Sequence, residues 1–284
     1  MADKNSMTHP KLQLETPRLM AIVNATPDSF SDGGLVFNGS RIDENKVARR
    51  IESIVKEGAD IIDIGGESTR PGAATVSIQE EMDRVLPVVE WAVSHTELAI
   101  SVDTSSPELM VEAARLGAHL INDVRALTRP NALAVAAKSG LMVCLMHMQG
   151  KPATMQEAPK YDNPVIEVNE FLQARVQACL GAGIDASNIW LDPGFGFGKS
   201  LEHNLALLRD LPEVSGLGFP VLAGLSRKSM IHHLLKRELD ERLPASLSLG
   251  LMALERGAKI LRVHDVAATR DIIDCYAAVH YNKY

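Results

Sequence analysis

The chain has 284 residues and a formal net charge of -7, from 29 basic and 36 acidic residues. It carries no dense block of lysine and arginine, which argues against sequence-independent binding of nucleic acid. Its apolar runs stay short of the roughly 18 residues that a membrane-spanning helix needs, so we expect neither nucleic acid nor a membrane as a partner.

After a polar leader at residues 1–18, short β-rich apolar runs alternate with longer amphipathic stretches. The pattern predicts eight strands, at 19–24, 59–66, 98–103, 119–124, 141–147, 189–192, 219–224 and 259–264. It predicts helices at 44–57, 78–93, 107–115, 131–139, 165–180, 201–211 and 267–278, with an extra segment at 245–255. Eight βα units in this length favour a TIM (β/α)8 barrel, as a single domain over 19–284, over an open doubly wound sheet.

The three cysteines, Cys144, Cys179 and Cys275, are widely spaced and lie in apolar runs. They form no pair with the spacing of metal ligands and suggest no disulfide framework. The first residues lack the apolar core of a signal peptide. We therefore expect a cytoplasmic protein.

Almost every predicted strand ends in a polar residue, and the active site of a TIM barrel is built at those ends. In chain order the ends give Asn24, Asp63, Asp103, Asn122 with Asp123, His147, Asp192, residues 226–228, and Arg262 with His264. A single Asp after a strand is more often the N-cap of the next helix. Eight such ends together predict a functional site at this face of the barrel.

Carboxylate and amide groups stand at three of these ends. Asp103, Asn122 and Asp192 suit a flat heterocycle that presents several N–H donors, because they can accept paired hydrogen bonds. For Asp192 the alternative is that its side chain holds the glycine-rich loop that follows, and one carboxylate can do both.

A second group offers positive charge and hydrogen-bond donors to a phosphate or diphosphate: Arg70, Lys228, Arg262 and His264. For Arg70 and Lys228, which lie in loops, surface ion pairing is the alternative. Asn24 offers an oxygen to Mg²⁺, which binds through few protein ligands plus waters and phosphates, although one asparagine alone is weak support for a metal.

Three loops have unusual length or content. NATPDSFSDGG from Asn24 and GGESTRPGAATV from Gly65 follow the first two strands and are long for βα loops, so each is either a lid over the site or an ordered surface loop. The third, DPGFGFGKS from Asp192, resembles a phosphate-binding loop, but three residues separate Gly194 from Gly198 where that motif needs four. We expect Lys199 and Ser200 to begin the next helix, with Ser200 as its cap.

Eight strings at these strand ends resemble those of the dihydropteroate synthases: NATPDSFSDGG, DIGGESTRPGA, SVDTSSPE, INDV, CLMHMQG, LDPGFGFGKSLEHN, GLSRKS and RVHDV. The resemblance covers about residues 19–266. It implies a TIM barrel, usually a homodimer and a sulfonamide target, that condenses 4-aminobenzoate with 6-hydroxymethyl-7,8-dihydropterin diphosphate with the help of Mg²⁺. Ala25 departs from the family, which commonly has valine there.

Carried over residue by residue, the resemblance implies three subsites. The pterin contacts are Asp103, Asn122, Asp192 and Lys228. The diphosphate contacts are Asn24, Thr69, Arg70, Arg262 and His264, with Asn24 also as the metal ligand. The 4-aminobenzoate contacts are Thr69, Arg70, Pro71, Phe197 and Ser229, and the residues expected to act in catalysis are Asp103, Arg70, Lys228, Arg262 and His264.

Three alternative functions fit the sequence less well. A methyltetrahydrofolate-dependent methyltransferase barrel shares the pterin residues but has no use for the cations of RVHDV, GLSRKS and STRPGA. A non-catalytic pterin-binding relative is expected to have lost one of these residues, and none is missing. An aldolase with Lys228 as a Schiff base is disfavoured, because this lysine lies in a loop beside Arg227.

Overall fold

The protein is represented by a computed structural model that describes residues 9–26, 37–38, 41–67, 76–150 and 154–282. The predicted contacts Thr69, Arg70 and Pro71, and most of the two long loops, lie outside the described residues. Within these ranges, no helix is both long and apolar enough to cross a membrane.

Eight parallel strands form a closed barrel. They are β1 (Arg18–Asn24), β4 (Ile61–Gly65), β5 (Ala99–Asp103), β6 (Leu120–Asp123), β7 (Met142–Met146), β8 (Ile189–Asp192), β9 (Val221–Ala223) and β10 (Ala258–Val263). Each strand pairs with its neighbour in the chain, and β1 also pairs with β10 to close the barrel. The predicted TIM barrel is confirmed, and every predicted strand bound lies within two residues of the observed one.

Helices follow the strands and cover the barrel. They are α1 (Glu44–Lys56), α2 (Ile78–His95), α3 (Pro107–Leu116), α4 (Ala132–Ser139), α5 (Pro164–Gly181), α6 (Leu201–Arg209), α7 (Leu211–Ser215), α8 (Ser229–Leu235), α9 (Leu243–Glu255) and α10 (Val266–Tyr281). Within the first long loop, β2 (Phe37–Asn38) and β3 (Arg41–Ile42) form a small antiparallel ribbon.

Two of these helices differ from the prediction. The helix predicted at 201–211 ends at Arg209, and α7, which was not predicted, follows it, because Pro212 in the first turn of α7 has no N–H to continue the bonding of α6. The helix α8 was not predicted. With seven residues it is too short to show a helical periodicity in the sequence.

The amino-terminal end of the barrel is closed by an apolar plug. Leu12, in a short 3₁₀ helix (Pro10–Leu12), is buried against inward side chains of the strands such as Met20 and Trp190. Beside it, Asp60 is 3.5 Å from Lys11 and 3.3 Å from Arg270. The second half of the predicted leader thus packs into the barrel core. Because this end is filled, the space inside the barrel opens at the opposite end, where the strands terminate.

Candidate active site

A cavity of about 490 Å³ opens at the carboxyl ends of the strands. Its lining contains all nine predicted site residues that the structure describes: Asn24, Asp103, Asn122, Asp192, Phe197, Lys228, Ser229, Arg262 and His264. Residues separated by up to 240 positions in the chain are therefore brought together in one space, because parallel strands end at the same face of the barrel.

Strand register places the acceptors side by side. Asp103, the last residue of β5, is the register partner of Asn122 on β6 and of Gly65 on β4. A Cβ on Gly65 would lie 3.3 Å from the Cβ of Asp103. A larger residue at position 65 would therefore crowd the side chain of Asp103. The predicted pair of acceptors is thus built by two neighbouring strands with matched ends.

Arg262 on β10 crosses the barrel mouth and contacts two carboxylates. Its Nε donates to Asp63 at 2.6 Å and its Nη2 donates to Asp103 at 2.8 Å. The sequence predicted Arg262 as a cation for a diphosphate, whereas in the structure two of its nitrogens are already engaged. Its Nη1 makes no hydrogen bond to the described residues, so this nitrogen can meet a ligand.

Asp63 is the residue that holds this arrangement together, and the sequence assigned it no role. Its carboxylate is fully buried and accepts from Asn122 Nδ2 at 3.0 Å and from Ser101 Oγ at 2.6 Å, besides Arg262. Its position at a strand end was a signal in the sequence. What the sequence lacked was the pairing with Arg262, which lies 199 residues further along.

Burial sets the charges of Asp103 and Asp192, two of the carboxylates that line the cavity. It raises the pKa of Asp103 to about 7; Arg262 opposes this shift, and the nearby carboxylate of Asp63 adds to it. Burial also raises the pKa of Asp192, against the hydrogen bond from Gly194 N–H and the charge of Lys228. Near neutral pH, Asp103 therefore stands at the balance between its charged and neutral forms.

The two cations respond differently to the same burial. For Arg262 burial alone lowers the pKa, but Asp63 and Asp103 more than offset this, so its pKa is raised and the guanidinium stays charged. For Lys228, burial and the charge of Arg262 together lower the pKa to about 8, against Asp192 and Asp103, which raise it. Arg262 is the permanent cation of the site, whereas Lys228 is mostly protonated at neutral pH and loses its proton just above it.

His264 was predicted to offer positive charge and a hydrogen-bond donor to a diphosphate, and without a ligand its ring is neutral. Burial, together with the positive charges of Arg262, Arg227 and Lys228, lowers its pKa to about 3, against the charge of Asp265. Its Nδ1 lies 3.1 Å from Ser226 Oγ, which also accepts from the backbone N–H of His264. The ring is therefore a neutral hydrogen-bonding group. Whether it contacts a diphosphate stays a prediction.

The loop after β8, residues 193–198, is here called the glycine loop. Asp192 Oδ1 accepts from Gly194 N at 2.7 Å, so this carboxylate both lines the cavity and holds the loop. The ring of Phe197 faces Lys228, whose Nζ lies 4.3 Å from the ring centroid. The glycine loop therefore presents an aromatic wall to the cavity.

The helix after the glycine loop begins at Leu201, as predicted, but Lys199 takes a different place from the one expected. Ser200 caps α6, with its Oγ accepting from His203 N, as predicted. Lys199 does not begin the helix. It is 3% exposed and its side chain folds back under the glycine loop, because its ammonium finds carbonyl acceptors there.

Other residues that line the cavity had no assigned role. Glu67, at the start of the second long loop, pairs with Arg125 at 3.1 Å, and Arg242 donates from Nη1 to the carbonyl of Arg227 at 3.0 Å. Glu67 lies in the loop GGESTRPGAATV, whose length indicated a functional role, whereas nothing in the sequence around Arg242 indicates a site.

Among the residues that the structure describes, no three His, Cys, Asp or Glu side chains are grouped so that they could hold a metal ion. Asn24 lines the cavity with a half-buried side chain. An amide oxygen is a hard ligand that suits Mg²⁺, and Mg²⁺ takes most of its coordination from water and phosphate oxygens. The donor set fits a metal that arrives with a phosphorylated ligand.

Comparison with known proteins identifies the family. Residues 20–264 match the family described as pterin binding enzyme. A dihydropteroate synthase of Haemophilus influenzae is 53% identical over 267 residues, which is 94% of this chain and 95% of that protein.

Solved structures give the same result. A Yersinia pestis dihydropteroate synthase in a sulfonamide drug complex superposes with a TM-score of 0.90 at 46% identity, covering 95% of this chain and 96% of that one. The Xanthomonas albilineans enzyme with 4-aminobenzoic acid gives 0.85 at 50% identity, covering 94% of each chain. In complex with 7,8-dihydropteroate it gives 0.83 at 47% identity, covering 94% of this chain and 95% of that one.

Proposed function

The chain belongs to the pterin binding enzyme family, in its dihydropteroate synthase branch, and on this premise we propose how its barrel mouth joins 6-hydroxymethyl-7,8-dihydropterin diphosphate to 4-aminobenzoate, releasing 7,8-dihydropteroate and diphosphate. As a member of this branch the chain is a transferase. The observation that carries the proposal is a single cavity in which acceptors for a flat heterocycle stand beside a permanently charged arginine.

The pterin half of the substrate is held by the acceptors. Asp103, Asn122 and Asp192 face the cavity and accept from the amino and ring N–H groups of the heterocycle, which replaces hydrogen bonds that these buried groups would otherwise lose. Lys228 lies at the same wall and donates to an acceptor atom of the ring system.

The diphosphate leaves from the exocyclic methylene carbon, and its departure needs charge neutralisation. Arg262 supplies a fixed positive charge through Nη1, and His264 donates a neutral hydrogen bond from Nε2, since Ser226 Oγ–H occupies Nδ1. Asn24 is the proposed ligand for Mg²⁺. When bound, the metal supplies further neutralisation of the diphosphate oxygens.

The arylamine half is held by the glycine loop and by the start of α8. Phe197 is the flat surface against which the ring of 4-aminobenzoate packs. Ser229 offers a hydroxyl donor to the carboxylate of 4-aminobenzoate. Thr69, Arg70 and Pro71 complete this subsite in the proposal, with Arg70 a second cation. The C–O bond to diphosphate breaks, the electron-rich pterin delocalises the cation, and the amine nitrogen then bonds to the methylene carbon and releases a proton. No enzyme nucleophile takes part.

We also propose a homodimer in a reducing, cytoplasmic setting. Leu251 and Met252 on α9 and Val279 on α10 are 40%, 46% and 77% exposed, and these two helices pack side by side, so they form an apolar surface that a second copy would cover. All three cysteines are free thiols. Sedimentation velocity tests the dimer, and a monomer at micromolar concentration contradicts it.

The activity is tested with purified protein, dihydropterin diphosphate, 4-aminobenzoate and Mg²⁺. The expected product is 7,8-dihydropteroate, formed in equal amount with diphosphate. Pterin binding without product would instead indicate a non-catalytic pterin-binding protein. Methyl transfer from methyltetrahydrofolate to a corrinoid would indicate the methyltransferase alternative.

A further inference from the structure

Lys199 is a buried lysine next to the cavity but not part of its lining. Its ammonium donates to the carbonyls of Gly194 at 2.9 Å and Phe197 at 3.0 Å, and to His147 Nδ1 at 2.9 Å. An ammonium has three N–H donors, so these three short bonds use all of them, and the carbonyl of His147 at 3.3 Å shares one of them. The side chain therefore links two points of the glycine loop to the residue that follows β7.

The glycine loop lies directly against the segment after β7. A Cβ on Gly194 would be 1.9 Å from the carbonyl oxygen of His147, and one on Gly198 would be 2.3 Å from that of Gln149. From the other side, Tyr161 OH donates to the carbonyl of Gly198 at 2.8 Å. The loop is thus in close contact with its neighbour, and Lys199 bonds to it near both of its ends, at Gly194 and at Phe197.

This arrangement is costly in the absence of a ligand. No carboxylate lies within hydrogen-bond distance of the ammonium of Lys199 among the described residues, and burial lowers its pKa to about 7. His147 accepts the bond because burial lowers its pKa to about 3 and keeps its ring neutral. An apolar side chain would avoid the desolvation cost of the lysine, so stability alone does not explain why a lysine stands here.

We propose that Lys199 is a positioning residue for the arylamine: by holding the backbone of Phe197, it fixes the aromatic wall of the cavity and so sets the affinity for 4-aminobenzoate. It touches neither substrate. Of the pterin contacts, Asp103 and Asn122 stand on β5 and β6 and make no hydrogen bond to Lys199. Asp192 ends β8 and meets the glycine loop at Gly194, so the pterin contacts depend on Lys199 less than Phe197 does. The proposal rests on the proposed function, in which Phe197 contacts the arylamine.

The test compares Lys199→Met, which keeps the length and removes the donors, with Lys160→Met, which removes an exposed lysine of the same region. In Lys199→Met we expect the KM for 4-aminobenzoate to rise about tenfold or more, while the KM for the pterin diphosphate changes less than about threefold. Lys199→Gln, which restores amide donors, recovers part of the affinity. Lys160→Met behaves as the wild type.

Hydrogen exchange of the backbone amides at 193–198 measures the loop without turnover. Faster exchange there in Lys199→Met, but not in Lys160→Met, is expected. If the wild type makes no dihydropteroate but exchange at 193–198 is still faster in Lys199→Met, the proposed function fails. The inference that Lys199 holds the glycine loop in place is then still supported. Equal rises of both KM values, unchanged exchange, or failure of both Lys199 variants to fold would each overturn the positioning role.

Discussion

Arg262 Nη2 donates to Asp103 across the barrel mouth at 2.8 Å, between strands that lie three positions apart around the barrel. The same guanidinium also bonds to Asp63, so two buried carboxylates share one cation. Burial is the main reason why the pKa of Asp103 stays raised although an arginine contacts it, and the nearby carboxylate of Asp63 adds to the shift.

The first prediction concerns Asp103→Asn. The raised pKa means that the folded protein holds a proton on Asp103 between about pH 4 and 7 that the unfolded chain releases, so stability falls as pH rises through this window. We expect the variant to be more stable than the wild type by about 1–3 kcal/mol at pH 8, with no gain below about pH 4. Urea unfolding at both pH values measures this.

Asp103→Asn is expected to have the opposite effect on function. An amide in place of the carboxylate cannot accept from two donors of the pterin, so pterin affinity should fall by about a hundredfold or more at pH 8. Calorimetric titration with a pterin lacking diphosphate measures it, and Mg²⁺-dependent binding of free diphosphate should be much less affected. Equal losses of both would contradict the assigned role.

A second prediction concerns the charge of Asp63. Asp63→Asn removes the charge that holds Arg262 and replaces one of the two acceptor oxygens with a donor, so we expect a loss of about 2–4 kcal/mol in the free energy of unfolding and a large loss of pterin affinity. Ser101→Ala is the control, since it removes only one neutral donor to the same carboxylate and should cost about 1 kcal/mol. Similar losses in the two variants would show that the charge of Asp63 does not matter.

A third prediction tests the neutral state of His264. With its pKa lowered to about 3, the ring should show no titration in NMR spectra between pH 8 and 5. His264→Gln keeps a neutral donor and should retain kcat/KM within about tenfold, whereas His264→Ala should lose about a hundredfold. A His264 resonance with a midpoint near its ordinary pKa would mean that the ring enters the reaction charged.

The sequence predicted the barrel well because each of its signals is local. β-branched runs, the polar residue that ends each run and the periodic stretches between them fix where elements begin, and the closed order follows from eight such units. The sequence did not predict the short helix α8 or the break in the helix before Pro212 that separates α6 from α7. A helix of two turns has too few residues to show a period.

The sequence predicted which residues form the site but not which of their side chains bond to one another. Strand ends identified Asp103, Asn122 and Arg262, because all strand ends of a barrel meet at one face. The hydrogen bond between Arg262 and Asp63 leaves fewer N–H groups of the arginine for a ligand. This bond could not be predicted, because it depends on how far the side chain reaches across the barrel. The burial of Lys199 was missed for a similar reason, since its acceptors belong to a loop and to His147, 52 residues earlier.

A fourth prediction concerns the metal. If Asn24 is a Mg²⁺ ligand, removal of divalent ions with a chelator should abolish turnover, and added Mg²⁺ should restore it. Asn24→Ala should raise the Mg²⁺ concentration needed for half-maximal rate by about tenfold. Binding of a pterin without diphosphate is the control and should not change. Full activity in the presence of the chelator would remove the metal from the proposal.

The last prediction compares two glycines that share a left-handed backbone. Gly218 has a φ of +84° and open space around it, so Gly218→Ala should cost only the backbone strain, about 1 kcal/mol. Gly194 has a φ of +70°, and a methyl group there would overlap the carbonyl of His147. Gly194→Ala should therefore cost at least about 3 kcal/mol or displace the glycine loop. In the displaced case Phe197 moves with the loop, and 4-aminobenzoate affinity falls while pterin affinity is kept. Equal stability of the two variants, measured by urea unfolding, would contradict the close contact between the glycine loop and the end of β7.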